Sequence, residues 1–168
     1  MATNAKLEFA MICEFRNPDK WPRPFLERYH DAIDHIVWAE GLGYDTIYFT
    51  EHHFSHDDYL PSPLMTAAIV AEKIKRIGIS TAVLLLPFYN PVRLAEEGAF
   101  LDQLSNGRYE LGFGTGYRPE EYAGYGIQWA GRGSRTDEMV EIIRRLWEED
   151  TVTFHGKHFQ IEKASVRP

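Results

Sequence analysis

Apolar residues recur along this chain in two rhythms, and the rhythm of each stretch predicts its element. Residues 7–15 are apolar enough for a first strand, and residues 16–24, with two prolines and mixed charge, read as a loop. Phe25, Tyr29, Ala32, Ile36 and Ala39 then recur at steps of three and four, with Ile33 and Val37 widening the stripe, so a helix follows, and Gly41 and Gly43 stop it. In residues 44–55 a run containing Ile47, Tyr48 and Phe49 suits a strand covered on both faces, and its apolar character ends abruptly at Glu51. Ser62-Pro63 opens a second helix reaching about Lys75, with the Ser62 hydroxyl as a cap for a free amide. Residues 77–86 are almost wholly apolar and predict a third buried strand, closed by Pro87.

Pro91 opens a third helix carrying Leu94, Gly98, Leu101 and Leu104, and Ser105-Asn106-Gly107 ends it in a left-handed cap rather than a hairpin. Residues 109–113 form a fourth strand that runs into a glycine-rich stretch, Gly112-Phe113-Gly114-Thr115-Gly116. After a loop, Met139, Ile142, Ile143, Leu146 and Trp147 mark the inner face of a fourth helix, and Val152 and Phe154 against Phe159 and Ile161 predict a small hairpin turning at Gly156. The strand starts recur every ~30–40 residues, the length of a strand, a crossover helix and two loops. Four such units in series mean an α/β fold with a parallel sheet, either open and doubly wound or half of an eight-stranded barrel.

Composition narrows the classes. The 168 residues are 44% apolar and 14% aromatic, enough for a real core, and the net charge is −7 with both signs interspersed. No basic stripe awaits nucleic acid and no polybasic patch awaits a membrane. One cysteine, Cys13, cannot build a disulfide framework and reads as a buried thiol, which fits a reducing cytoplasm. Residues 1–6 are short and polar, no apolar run reaches the roughly 18 residues that span a bilayer, and a cytoplasmic protein is expected.

The chemistry concentrates where the second strand ends. Parallel α/β folds place their working groups at the carboxyl ends of strands, which is where Glu51, His52 and His53 stand. Alternation turns Glu51 and His53 to one face and His52 to the other, so the imidazoles need not share a task. Adjacent histidines make poor partners in a barrel metal site, where ligands at i and i+2 share a face, and no metal is expected. Gly112, Gly114 and Gly116 follow a strand but are spaced GxGxG rather than GxGxxG, so they point to a flat or bulky group against Gly114 and not to a dinucleotide fold. Arg144 and Arg145 suit the exposed carboxyl end of the fourth helix, whereas Arg132 and Arg135 at its start have no dipole reason to be there and are candidates for binding an anion.

Several of these stretches coincide in one pattern. Glu51-His52-His53-Phe54, residues 78–87, Asn90-Pro91-Val92-Arg93-Leu94-Ala95-Glu96-Glu97 and Leu101-Asp102-Gln103-Leu104-Ser105-Asn106-Gly107-Arg108 closely resemble the bacterial luciferase-like flavin monooxygenases, over residues 7–168. The resemblance implies a (β/α)8 barrel of which residues 1–168 are the amino-terminal half. It implies reduced FMN, supplied by a separate flavin reductase, that reacts with dioxygen to a peroxyflavin and oxidises a small organic substrate such as an aldehyde. It further implies His52 as the catalytic histidine, Glu51 beside the flavin, and a non-proline cis peptide between Ala82 and Val83 under the isoalloxazine. Gly114, Thr115 and Tyr117 match the loop that passes the flavin, and Arg132 or Arg135 the arginine near its phosphate. The residues agree physically: apolar strands keep water from a reactive oxygen species, and an imidazole can move a proton near neutral pH, while the cofactor carries the oxygen chemistry.

Some members carry an arginine where Thr115 stands and a histidine where Asn90 stands, which leaves phosphate contact and part of the proton chemistry open at those positions. A full barrel runs to about 250 residues, so the chain is expected to be a fragment, one component of a split barrel, or a partner to another copy. A half-barrel otherwise exposes a strand edge and an apolar inner face. A flavin-binding protein without turnover and a deazaflavin-dependent oxidoreductase are the alternatives, and the sequence does not name the substrate.

Overall fold

The computed structural model describes residues 7–168, and its centre is a parallel sheet of four strands lying side by side in chain order. β1 (Ala10–Cys13), β2 (Thr46–Phe49) and β3 (Gly78–Thr81) pair in register, with Ala10 opposite Thr46 and Thr46 opposite Gly78. Parallel neighbours need crossovers, which α1 (Phe25–Leu42), α2 (Pro63–Lys73) and α3 (Pro91–Ser105) supply. β4 (Leu84–Leu85) lies beyond β3, and β5 (Tyr109–Glu110) completes the sheet on the outer side of β3. β6 (Phe113–Gly114) pairs with β4 as a second, smaller parallel ladder.

The continuous strands expected over residues 77–86 and 109–113 are therefore each broken in two. The breaks fall at Ala82–Val83, whose peptide bond is cis, and at Leu111-Gly112. They lie side by side: Gly112 O accepts from Thr81 Oγ1 at 2.6 Å and from the Leu84 N–H at 2.9 Å. A Cβ at Gly112 would stand 2.0 Å from Thr81 O, so only glycine lets the two backbones pass this closely.

Several helix ends follow local rules. Gly43 in the left-handed conformation closes α1, and Asn106 at φ 59° closes α3. Asn90 caps α3 through its side-chain oxygen, which accepts from the Val92 and Arg93 amides. At α2 the Ser62 hydroxyl caps no amide; its carbonyl oxygen takes the Thr66 amide and hydroxyl instead. A short helix not foreseen in the sequence, α4 (Pro119–Gly124), precedes α5 (Arg132–Glu148). An antiparallel hairpin follows, β7 (Val152–His155) and β8 (Gln160–Ala164), and its turn is clamped by Glu138, which accepts from the amides of Lys157, His158 and Phe159.

Two apolar cores cover the sheet from the helical side. Ile47, Phe49 and Ile79 pack with Ile36, Val70 and Ile74 from α1 and α2 in the first. Leu84, Leu94, Met139, Ile142 and Val152 form the second, under α3, α5 and the hairpin. β2 is not buried on both faces as the apolar run suggested: Ile47 and Phe49 are buried, but Thr46 and Tyr48 are only half covered. On β1 the same alternation leaves Ile12 62% exposed while Met11 and Cys13 reach the core. Burial pushes the Cys13 thiol pKa up to about 12, so it is an inert hydrophobe.

Candidate active site

The chain leaves β2 at Phe49 and delivers three titratable side chains in succession, two of which it buries. Glu51 and His53 turn to one side and His52 to the other, as strand alternation predicts. On the first side the Glu51 carboxylate is buried and accepts three hydrogen bonds, from the Leu85 amide at 2.6 Å, the Tyr89 hydroxyl at 2.7 Å and His53 Nε2 at 2.9 Å. His53 Nδ1 lies 3.0 Å from the Tyr125 hydroxyl. Burial, reinforced by the nearby Glu51 charge, raises the phenol pKa values of Tyr89 and Tyr125. The Glu51 carboxylate can only accept, which places the His53 proton on Nε2 and leaves Nδ1 to accept from the Tyr125 hydroxyl.

On the second side Glu121, in the first turn of α4, plays the part that Glu51 plays for His53. Its Oε1 lies 2.9 Å from His52 Nδ1 and accepts the His53 amide at 2.9 Å. His52 Nε2 meets the Tyr117 hydroxyl at 3.2 Å, and the imidazole stands edge-on to Tyr59, with 4.7 Å between ring centres. Two Glu–His–Tyr chains thus run back to back from one tripeptide. The two imidazoles diverge toward separate carboxylates.

His52 faces a cavity of about 350 Å³, at the lower end of the ~300–1,000 Å³ typical of small-molecule sites. Of the residues singled out from sequence, Glu51, His52, Ala82, Val83, Thr115 and Tyr117 line it, drawn from three separate stretches of chain. Gly116 of the glycine run completes the wall with Thr50, Tyr59 and Leu85, which carried no sequence signal as site residues. Across Glu51 lies a second cavity of about 680 Å³, reached by His53, Tyr89 and Tyr125 and walled by Leu64, Met65 and Phe100 of α2 and α3.

Gly114 is placed differently from the expectation. Its missing side chain makes room for Val83, whose Cγ2 lies 3.0 Å from where a Cβ would be, and Gly114 is not among the residues lining the cavity. Arg132 and Arg135 do not line the His52 cavity. Arg132 stacks over Trp129 at 3.8 Å, and Arg135 lies over Phe159 at 4.4 Å and donates to Pro87 O at 3.3 Å. Burial lowers the Arg135 pKa. Arg108 is structural: its guanidinium donates to the carbonyls of Ala71, Ile74 and Ile77 and ties the end of α2 to the sheet. Asn90 is spent on its helix cap.

Glu121 was visible in the sequence only as one of two acids after Pro119. Proline at the first helical position followed by acids in the first turn is a helix-start signal, and reading it so would have found α4, though not its partner.

The family model described as luciferase-like monooxygenase matches residues 7–168. The chain belongs to the luciferase-like monooxygenase family. Among relatives in this family, an F420-dependent glucose-6-phosphate dehydrogenase of Amycolatopsis mediterranei is 35% identical over 143 residues, 81% of this chain and 43% of that protein. The oxygenase component of a flavin-dependent trigonelline monooxygenase of Acinetobacter baylyi is 31% identical over 142 residues, 83% of this chain and 39% of its own. In three dimensions the chain superposes on the oxygenating constituent of 3,6-diketocamphane monooxygenase of Pseudomonas putida, a type II Baeyer-Villiger monooxygenase solved with FMN. The TM-score is 0.84 at 25% identity, over 92% of this chain and 42% of that one. The chain thus spans less than half the length of these relatives. Both flavin- and F420-dependent oxidoreductases stand among them.

Proposed function

We propose that these residues form the amino-terminal half of a (β/α)8 barrel that works as an FMN-dependent monooxygenase on a small organic substrate. The observation that carries this reading is the convergence of Glu51, His52, the Ala82–Val83 peptide, Thr115 and Tyr117 on one cavity. The donor set suits a flavin ring: a partly exposed Val83 and the Leu85 side chain offer an apolar floor, and the imidazole and tyrosines offer polar groups at the edge. When bound, reduced flavin supplies the electrons that activate dioxygen. The chain's own part is to seat the ring, exclude water and hold or move a proton at His52 Nε2, the ring nitrogen that faces Tyr117 and the cavity. A separate reductase supplies reduced FMN, in keeping with the component naming of the Acinetobacter relative. The exposed apolar side chains Leu7, Phe9 and Ile12 support a covering second half, from the same chain or from a partner.

The test is titration with oxidised and reduced FMN, followed by oxygen uptake. Saturable binding and flavin-dependent oxygen consumption are expected, and absence of binding in a barrel-complete protein removes the reading. The 35% identity to an F420-dependent dehydrogenase favours one rival, a deazaflavin enzyme. A deazaflavin exchanges hydride and does not activate dioxygen, so its spectrum in the isolated protein, together with no oxygen uptake, would decide for it.

A further inference from the structure

Glu121 is wholly buried, and its two oxygens are used unequally. Oε1 gathers the His53 amide and His52 Nδ1, each at 2.9 Å, with Arg118 Nη1 at 3.5 Å, whereas Oε2 is buried with no hydrogen-bond partner. A backbone N–H can only donate, so Oε1 is committed to accepting. An accepting Oε1 requires the His52 proton on Nδ1 and leaves the Nε2 lone pair facing the Tyr117 hydroxyl at the cavity. We propose that Glu121 is a positioning residue that holds His52 in its Nδ1–H tautomer and so makes Nε2 the proton-accepting atom of the cavity.

An unconstrained histidine favours the opposite, Nε2–H form, so the buried carboxylate reverses the intrinsic preference. A proton taken up by Nε2 yields an imidazolium whose Nδ1–H already points at Glu121, and the same proton is returned from Nε2. No other bond changes. The use made of that proton rests on the flavin reading above, but the tautomer is a property of the protein without flavin, which separates the two tests.

The experiment is nitrogen-15 NMR of the His52 side chain in the intact, flavin-free protein, assigned by the signal lost in His52→Ala. At a pH where the ring is neutral, a protonated Nδ1 and a bare Nε2 are expected. Glu121→Ala should move the proton to Nε2 and lower turnover of the flavin-loaded protein by about 10²- to 10⁴-fold. Glu121→Gln should keep the Nδ1–H signal, because the His53 amide pins the carbonyl oxygen in the Oε1 place, and should lose less turnover than the alanine variant. An Nε2–H signal in the unaltered protein overturns the proposal without any variant, and so does an unchanged tautomer in folded Glu121→Ala. If the alanine variant does not fold, the unaltered protein and Glu121→Gln decide. An Nδ1–H signal in a protein that ignores FMN would leave the tautomer standing and remove the flavin reading instead.

Discussion

His52 and His53 are chain neighbours with the same kind of partners, a glutamate on one nitrogen and a tyrosine on the other, yet they occupy different worlds. The His53 side chain is 6% exposed and bound into a frame that ties the end of β2 to the Leu85 amide and to Tyr89. The His52 side chain is 15% exposed, and its tyrosine, Tyr117, is 73% exposed at the rim of the cavity. Similar partners therefore serve as a clamp where the imidazole is buried and its carboxylate also holds the Leu85 amide and Tyr89, and as a more accessible proton site where the imidazole is partly open and its tyrosine more exposed, Tyr117 at 73% against Tyr125 at 44%. The degree of burial along each chain makes the difference, since a hydrogen bond is costlier to break the further it lies from water.

Substitutions at matching positions should separate the two. His52→Ala is expected to lower flavin-dependent turnover by about 10²- to 10⁴-fold while costing under about 2 kcal/mol in stability, read from oxygen uptake and urea unfolding of the same preparation. Glu51→Ala should show a large effect on stability as well, because it leaves the Leu85 amide, His53 Nε2 and the Tyr89 hydroxyl without an acceptor. A loss of about 3 kcal/mol or more is expected, and a variant as stable as the parent would end the idea of a clamp. In the tyrosines the contrast narrows: Tyr125→Phe strips the buried Nδ1 of His53 of its donor and should cost about 1 kcal/mol, whereas Tyr117→Phe should be close to neutral in urea.

The smallest effect lies in the loop that leads away from His53. The Ser55 hydroxyl, donating at 2.5 Å, and then the Arg16 guanidinium hold the Asp57 carboxyl below the usual aspartate range, against the opposing effect of burial. A depressed pKa contributes stability that is present above the ordinary aspartate value of about 3.9 and is lost as pH falls through the lowered one. The stability gap between the parent and Asp57→Asn should therefore be constant above that value and close in acid, measured by denaturation across a pH series. A gap that widens in acid would contradict it.

Much of this arrangement is local and could be read from the chain alone. The split of Glu51 and His53 from His52 follows from strand alternation, the α1 and α3 boundaries from Gly43, Pro91 and Asn106, and the parallel sheet from units of even length. Each of these depends on neighbours a few residues apart, and period and capping rules act at that range. Which carboxylate each imidazole meets is another matter: Glu121 stands 69 residues from His52, and Tyr125 stands 72 from His53. Nothing in the local pattern of α4 says what its first turn will touch. The same holds for the glycines, where the spacing around Gly114 asks for close approach by a bulky group and only the fold shows Val83 in that place. The chain's own order thus determined which groups emerge at the end of β2 and on which faces. Only packing between distant segments decided which of them is locked and which is left open, because burial is set by what the tertiary fold lays on top.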